Sequence, residues 1–99
     1  VRDRGENLKR AIKAYEEALT ICTIENYPVH YATTQNNLGF AYGTFSEVCD
    51  KEENVKKAIR AFEAALKIRT IEKYLVDYAT TQHNLGIAYS TLAENRNRS

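Results

Sequence analysis

The chain has 99 residues, enough for one small domain with a modest hydrophobic core. Apolar residues make up 43% and charged residues 27%, a balance that argues against intrinsic disorder. Lysines and arginines nearly cancel the acids, leaving a formal charge of +1, so the basic footprint of a nucleic-acid or membrane-surface binder is missing.

No apolar run approaches the length of a membrane span, and the N-terminus carries no signal-peptide pattern. The chain begins with Val1 and contains no methionine, so we read it as a piece of a longer protein. Cys22 and Cys49 have neither metal-ligand spacing nor a disulfide-rich context. They read as free thiols in a reducing compartment, and the expected location is cytoplasmic.

Four helices are predicted in chain order. In the first, Glu6–Thr23, the residues Leu8, Ala11, Ile12, Tyr15, Ala18 and Leu19 recur at spacings of three and four, one face of an amphipathic helix. Asp3 with Glu6 fits the Asx-x-x-Glu form of an N-terminal capping box. The second, Val29–Val48, aligns Tyr31, Gln35, Leu38, Gly39, Tyr42 and Phe45, and Pro28 opens it where an amide is not needed.

The third, Glu53–Lys73, carries Val55, Ala58, Ile59, Phe62, Ala65 and Leu66 on one face, with Asp50 and Glu53 as its cap. Glu53–Lys57 and Glu63–Lys67 are expected to pair across one helical turn. The fourth, Val76–Asn95, repeats the second with Tyr78, Gln82, Leu85, Gly86, Tyr89 and Leu92. A polar tail over 95–99 is expected to fray. No segment alternates as a strand, so the predicted fold is all-α.

Two stretches organise this helical pattern. Tyr31–Tyr42 reads YATTQNNLGFAY and Tyr78–Tyr89 reads YATTQHNLGIAY, 47 residues apart. Laying 1–47 over 48–94 without gaps gives about 29 identities, the signature of a stacked repeat. The chain is therefore two repeat units, 1–47 and 48–94, each ordered as a second-type helix followed by a first-type helix.

Gln35, Leu38, Gly39 and Tyr42, followed by Ala58, Phe62 and Ala65, resemble a tetratricopeptide repeat. Gln82, Leu85, Gly86 and Tyr89 start the pattern again, and Ala11, Tyr15 and Ala18 end a preceding copy. The period of 47 exceeds the usual value of about 34, and both connections take up the surplus. Glutamine replaces the commonest Trp, and Thr23 and Thr70 replace the closing Pro. Pro28, Ala32, Thr33, Thr34, Asn36, Asn37 and Leu38 are similar to the longer repeats of kinesin light chains and of bacterial and archaeal signalling proteins. The resemblance implies antiparallel helix-turn-helix repeats stacked as a short right-handed α-solenoid, serving protein–protein recognition. On this reading Gly39 faces Ala58 where two helices cross, with Tyr42 and Phe62 in the wedge beside them.

Carried over by position, the family's concave groove would hold Thr33, Asn36, Asn37, Phe40, Gly43 and Thr44. Its next wall would hold Thr80, His83, Asn84, Ile87, Ser90 and Thr91. Only Asn37 and Asn84 match the family's carboxylate clamp, whose basic members are missing. The bland alternative is that these asparagines bond the adjacent helix and that Phe40 and Ile87 pack on neighbouring repeats. The expected partner is a protein or peptide, with no nucleic acid and no membrane.

His30 and His83 are the only histidines, and no HxxxH or CxxC spacing accompanies them. We expect no metal, no cofactor and no enzymatic activity. The carboxylates read as a solvated surface. The tyrosine pairs Tyr27/Tyr74, Tyr31/Tyr78 and Tyr42/Tyr89 recur at the repeat period and read as core. Both ends lack a partner helix: Ala11 and Tyr15 at one, Gly86 and Tyr89 at the other. Neighbouring repeats would cover these faces in a longer array. In this chain they offer a second role, homo-oligomerisation by stacking or by fusing the helices around Phe45–Asn54 into a swapped pair.

Overall fold

A computed structural model describes residues 3–98, and every regular element among them is a helix. These are α1 (Arg4–Ala18), α2 (Pro28–Phe45), α3 (Lys51–Ala65) and α4 (Leu75–Arg98). No helix is long and apolar enough to cross a membrane. The order is that of a stack: α2 lies between α1 and α3, and α4 packs on α3. α1 and α4 do not touch. The α2–α3 interface is the most extensive.

Small residues let these helices approach closely. Ala58 and Ala65 are fully buried, and Ile59 and Phe62 fill the spaces between them. Burying a side chain the size of Phe62 contributes about 1.5–3 kcal/mol. One cluster joins Ile12, Leu38, Ala41, Phe45 and Ala61; a second joins Val55, Ala58, Ile59, Phe62 and Ala88. Tyr42 packs against both.

Phe62 stands directly against Gly39. A Cβ on Gly39 would lie 2.6 Å from Cε1 of Phe62, so it is the ring that the missing side chain admits. The tyrosines differ from expectation. Tyr42 is half-buried, and Tyr27 and Tyr89 are exposed. Their hydroxyls need polar partners or water, which keeps the phenols at the seams.

Helix boundaries depart from the sequence reading for local reasons. α1 and α3 stop at Ala18 and Ala65 rather than Thr23 and Lys73. Beyond them the backbone tightens into three-residue turns, Ile21 N–H to Ala18 O and Ile68 N–H to Ala65 O, both 3.1 Å. Thr20, Ile21 and Thr23 in the first copy, and Ile68, Thr70 and Ile71 in the second, are β-branched and weaken helix continuation. α2 begins at Pro28 itself. α4 continues through Arg98, so the segment expected to fray is helical as far as the described residues extend.

Asp3 and Asp50 precede their helices, yet neither makes a side-chain capping bond. Asp50 has φ 44°, a left-handed conformation that turns its carboxylate away from cap geometry. The buried Asn54 closes the α2–α3 turn instead, donating from Nδ2 to Cys49 O at 2.9 Å. α2 and α3 thus remain separate helices in this structure. The expected pairs Glu53–Lys57 and Glu63–Lys67 are also replaced. Lys56 reaches Glu52 at 3.1 Å, Lys57 sits over the Tyr42 ring, and Glu63 accepts from Tyr89.

Candidate functional site

α2 and α4 both rest on α3, and the C-terminal halves of α2 and α4 enclose a groove of about 240 Å³. Phe40 and Ile87, exposed at 63% and 54%, stand on its two walls. Val55, Phe62 and Ala88 form an apolar floor. Gly39 and Gly43 on α2 keep that wall low; nothing lies within 4 Å of a Cβ on Gly43. The exposed apolar walls follow from the period of α2. Leu38, Ala41 and Phe45 take its packed faces, which turns Phe40 outward.

Polar groups ring the mouth: Glu47, Lys51 and Glu94, with Thr44, Thr91 and Asn84 between them. Glu47 is held by Arg4 Nη2 at 2.8 Å. Thr44 and Thr91 donate back to Phe40 O and Ile87 O, both at 3.0 Å, so each covers a carbonyl of its own helix. The side-chain amide of the half-buried Asn84, like that of the exposed Asn37, has no hydrogen-bond partner among the described residues. Neither asparagine makes the bond to an adjacent helix that the bland alternative supposed.

Of the residues predicted for the groove, Phe40, Thr44, Asn84, Ile87 and Thr91 line it. Gly43 lines it as well. Asn37, Thr80 and His83 are exposed outside it, and Ser90 is exposed too. Thr33 and Asn36 have a different task. α2 meets α4 at their level, and a polar cluster joins the two helices there.

Arg69, from the α3–α4 connection, is buried at the centre of that cluster. Its Nη1 donates to Thr81 Oγ1 at 3.1 Å and its Nη2 to Thr33 Oγ1 at 3.3 Å. Thr81, fully buried, donates on to Asn36 Oδ1 at 2.9 Å. Residue type and register alone put Thr33 and Asn36 on the groove side. The groove opens only beyond the point where the helices touch.

Sequence reasoning missed Glu47, Lys51 and Glu94. Glu47 and Glu94 are solvent-exposed, as the reading of the carboxylates as a solvated surface expects, and they also border the groove. Their position near the ends of α2 and α4, one to two turns past Phe40 and Ile87, was the available signal. Elsewhere the carboxylates serve seams. Tyr42 donates to Glu16 Oε2 at 2.6 Å, and Tyr89 makes the equivalent bond to Glu63 at 3.0 Å. Burial, then the Glu16 hydrogen bond and charge, push the Tyr42 phenol up to about 12. The hydrogen bond to Glu63 raises Tyr89 in the same direction.

No three His, Cys, Asp or Glu side chains converge as metal ligands among the described residues. Cys22 and Cys49 are free thiols. No family model matches this chain, and neither a curated protein nor a solved structure does.

Proposed function

We propose that the chain is a protein–protein interaction scaffold of tetratricopeptide type, which holds a segment of a partner protein between α2 and α4. The observation that carries this reading is the exposure of Phe40 and Ile87 on facing walls of one groove. An apolar side chain placed between them would reach the floor at Val55, Phe62 and Ala88. Asn84, with its amide unspent, is suited to the partner's backbone.

The groove is smaller than a typical small-molecule site of roughly 300–1,000 Å³. One anchor side chain and its flanking backbone fill it, so binding by a single groove is weak. The reading includes a cytoplasmic setting, which the free thiols support. It assigns no reaction, cofactor or metal.

A random-heptapeptide array probed with the labelled chain tests this. The expected result is selection of one aliphatic or aromatic residue at a fixed position. Phe40→Ser and Ile87→Ser should each reduce that signal at least tenfold. Selection unaffected by both substitutions, or no selection, would overturn the reading.

A further inference from the structure

The repeat supplies a template for a surface the chain does not cover. Shifting α3 by the 47-residue period places it on α1, and shifting α2 places it on α4. The α2–α3 interface therefore has both halves present a second time, as the free face of α4 and the free face of α1. Within the chain they cannot meet, because α1 and α4 lie at opposite ends of a molecule 39 Å long.

The two halves match their buried counterparts closely. Leu38, Gly39 and Tyr42 recur unchanged as Leu85, Gly86 and Tyr89. Across the interface, Ala58, Ala61, Phe62 and Ala65 recur as Ala11, Ala14, Tyr15 and Ala18. Yet Gly39 is buried under Phe62, while Gly86 is exposed with nothing within 4 Å of where a Cβ would stand. Ala61 is 5% exposed, and Ala14, its equivalent, faces solvent.

The polar groups are complementary too. Tyr42 makes two contacts: its hydroxyl bonds Glu16 on one side, and Lys57 lies 5.5 Å from its ring on the other. Tyr89 makes only the first, with Glu63. The residue equivalent to Lys57 is Arg10, on the free face of α1.

We propose that the chain associates head to tail with a second copy of itself, α1 of one copy docking on α4 of the other. Tyr15 then covers Gly86 as Phe62 covers Gly39, and Arg10 lies over Tyr89 as Lys57 lies over Tyr42. A joint of this kind copies the most extensive helix interface in the molecule. It is heterologous, so it continues into a ring or a filament rather than ending at a symmetric dimer. It is also weaker than its template. The five-residue turn 46–50 that tethers α2 to α3 has no counterpart between chains, and the tether's effective concentration is lost.

The cluster around Arg69 changes character at the joint. Its equivalents are Cys22, Thr34, Thr80 and His83, so no guanidinium is buried there. His83, exposed in the single chain, stands opposite Thr34 of the next copy as Asn36 stands opposite Thr81.

The test is light scattering and sedimentation velocity of the 99-residue chain over a concentration series. The expected result is growth from the 11.3 kDa monomer to species larger than a dimer. Ala14→Glu puts a charge into the α1 half, and Gly86→Leu fills the α4 half; both sites are exposed, so circular dichroism should show the fold intact. Each variant alone should stay monomeric, and mixing the two should give a discrete 1:1 dimer through the two intact halves. Ala14→Arg with Gly86→Phe provides an independent pair should either of the first variants lose helicity. A strict monomer at every concentration would overturn the proposal. So would assembly that survives these substitutions, or variants that fail to pair on mixing. The proposal stands apart from the groove reading, since Phe40→Ser should leave assembly unchanged.

Discussion

Gly39 lies directly beneath the ring of Phe62, with the Cβ position of the glycine 2.6 Å from Cε1 and 2.7 Å from Cδ1. The ring is 3% exposed and packed among Val55, Ala58, Ile59 and Ala88, so admitting a Cβ means displacing a buried ring from its contacts. Gly39→Ala should therefore destabilise the chain by about 1–3 kcal/mol, the range for overpacking, despite the better helix propensity of alanine. The same change at Gly86, where a Cβ meets nothing, should stabilise by roughly 0.5–1 kcal/mol. Urea denaturation of the two variants at low concentration would show opposite signs.

The Arg69–Thr81–Asn36 chain gives a second contrast. Thr81→Val keeps the side-chain shape and adds apolar surface, yet it removes the donor to Asn36 and the acceptor for Arg69. The expected loss is about 1–3 kcal/mol, because buried polar groups are left unmatched. Combining it with Arg69→Leu should cost less than the sum of the two single changes, which a double-mutant cycle in urea would measure.

Tyr42 predicts a response to alkali. Its phenol is raised from 10.0 to about 12, chiefly by burial and then by Glu16; Arg60 pulls the other way, and Lys57 covers the ring. Between pH 10 and 12 the folded chain holds this proton more tightly than the unfolded chain does. Stability from this group is therefore complete below pH 10 and is lost as pH rises through about 12. Tyr42→Phe should flatten that part of the pH–stability profile relative to the native chain. At neutral pH the variant should lose about 0.5–1.5 kcal/mol with the Glu16 bond.

Asp50 is the only non-glycine residue with positive φ among those described, and it gains no capping bond from that conformation. Asp50→Gly should stabilise the chain by roughly 0.5–1 kcal/mol, because a left-handed backbone costs glycine little. Asp50→Val should do the opposite. Thermal unfolding followed at 222 nm would rank the three.

Much of this architecture was legible before any coordinates. The spacing of Val55, Ala58, Ile59, Phe62 and Ala65 gave α3 its face, and all of these residues are buried. Pro28 marked the start of α2. The groove was legible only in part. Phe40 and Ile87 stood out as apolar residues on an otherwise polar side, but Thr33 and Asn36 could not be told from them in role. Period assigns a residue to a helix face; it does not say how far along that face the neighbouring helix stays in contact. The missed Glu47, Lys51 and Glu94 come from the α2–α3 turn, the start of α3 and the last turns of α4, which no single-helix pattern brings together.

Gly39 and Gly86 summarise the division. Their identical settings, Leu-Gly-x-Ala-Tyr, were determined by the sequence alone, as were the helical register, the two-unit repeat and the small-residue stripe needed for close approach. That one glycine lies under Phe62 while the other faces open space was decided only by the tertiary structure. The reason is that burial is a property of what packs against a face. Among the described residues that neighbour is present once.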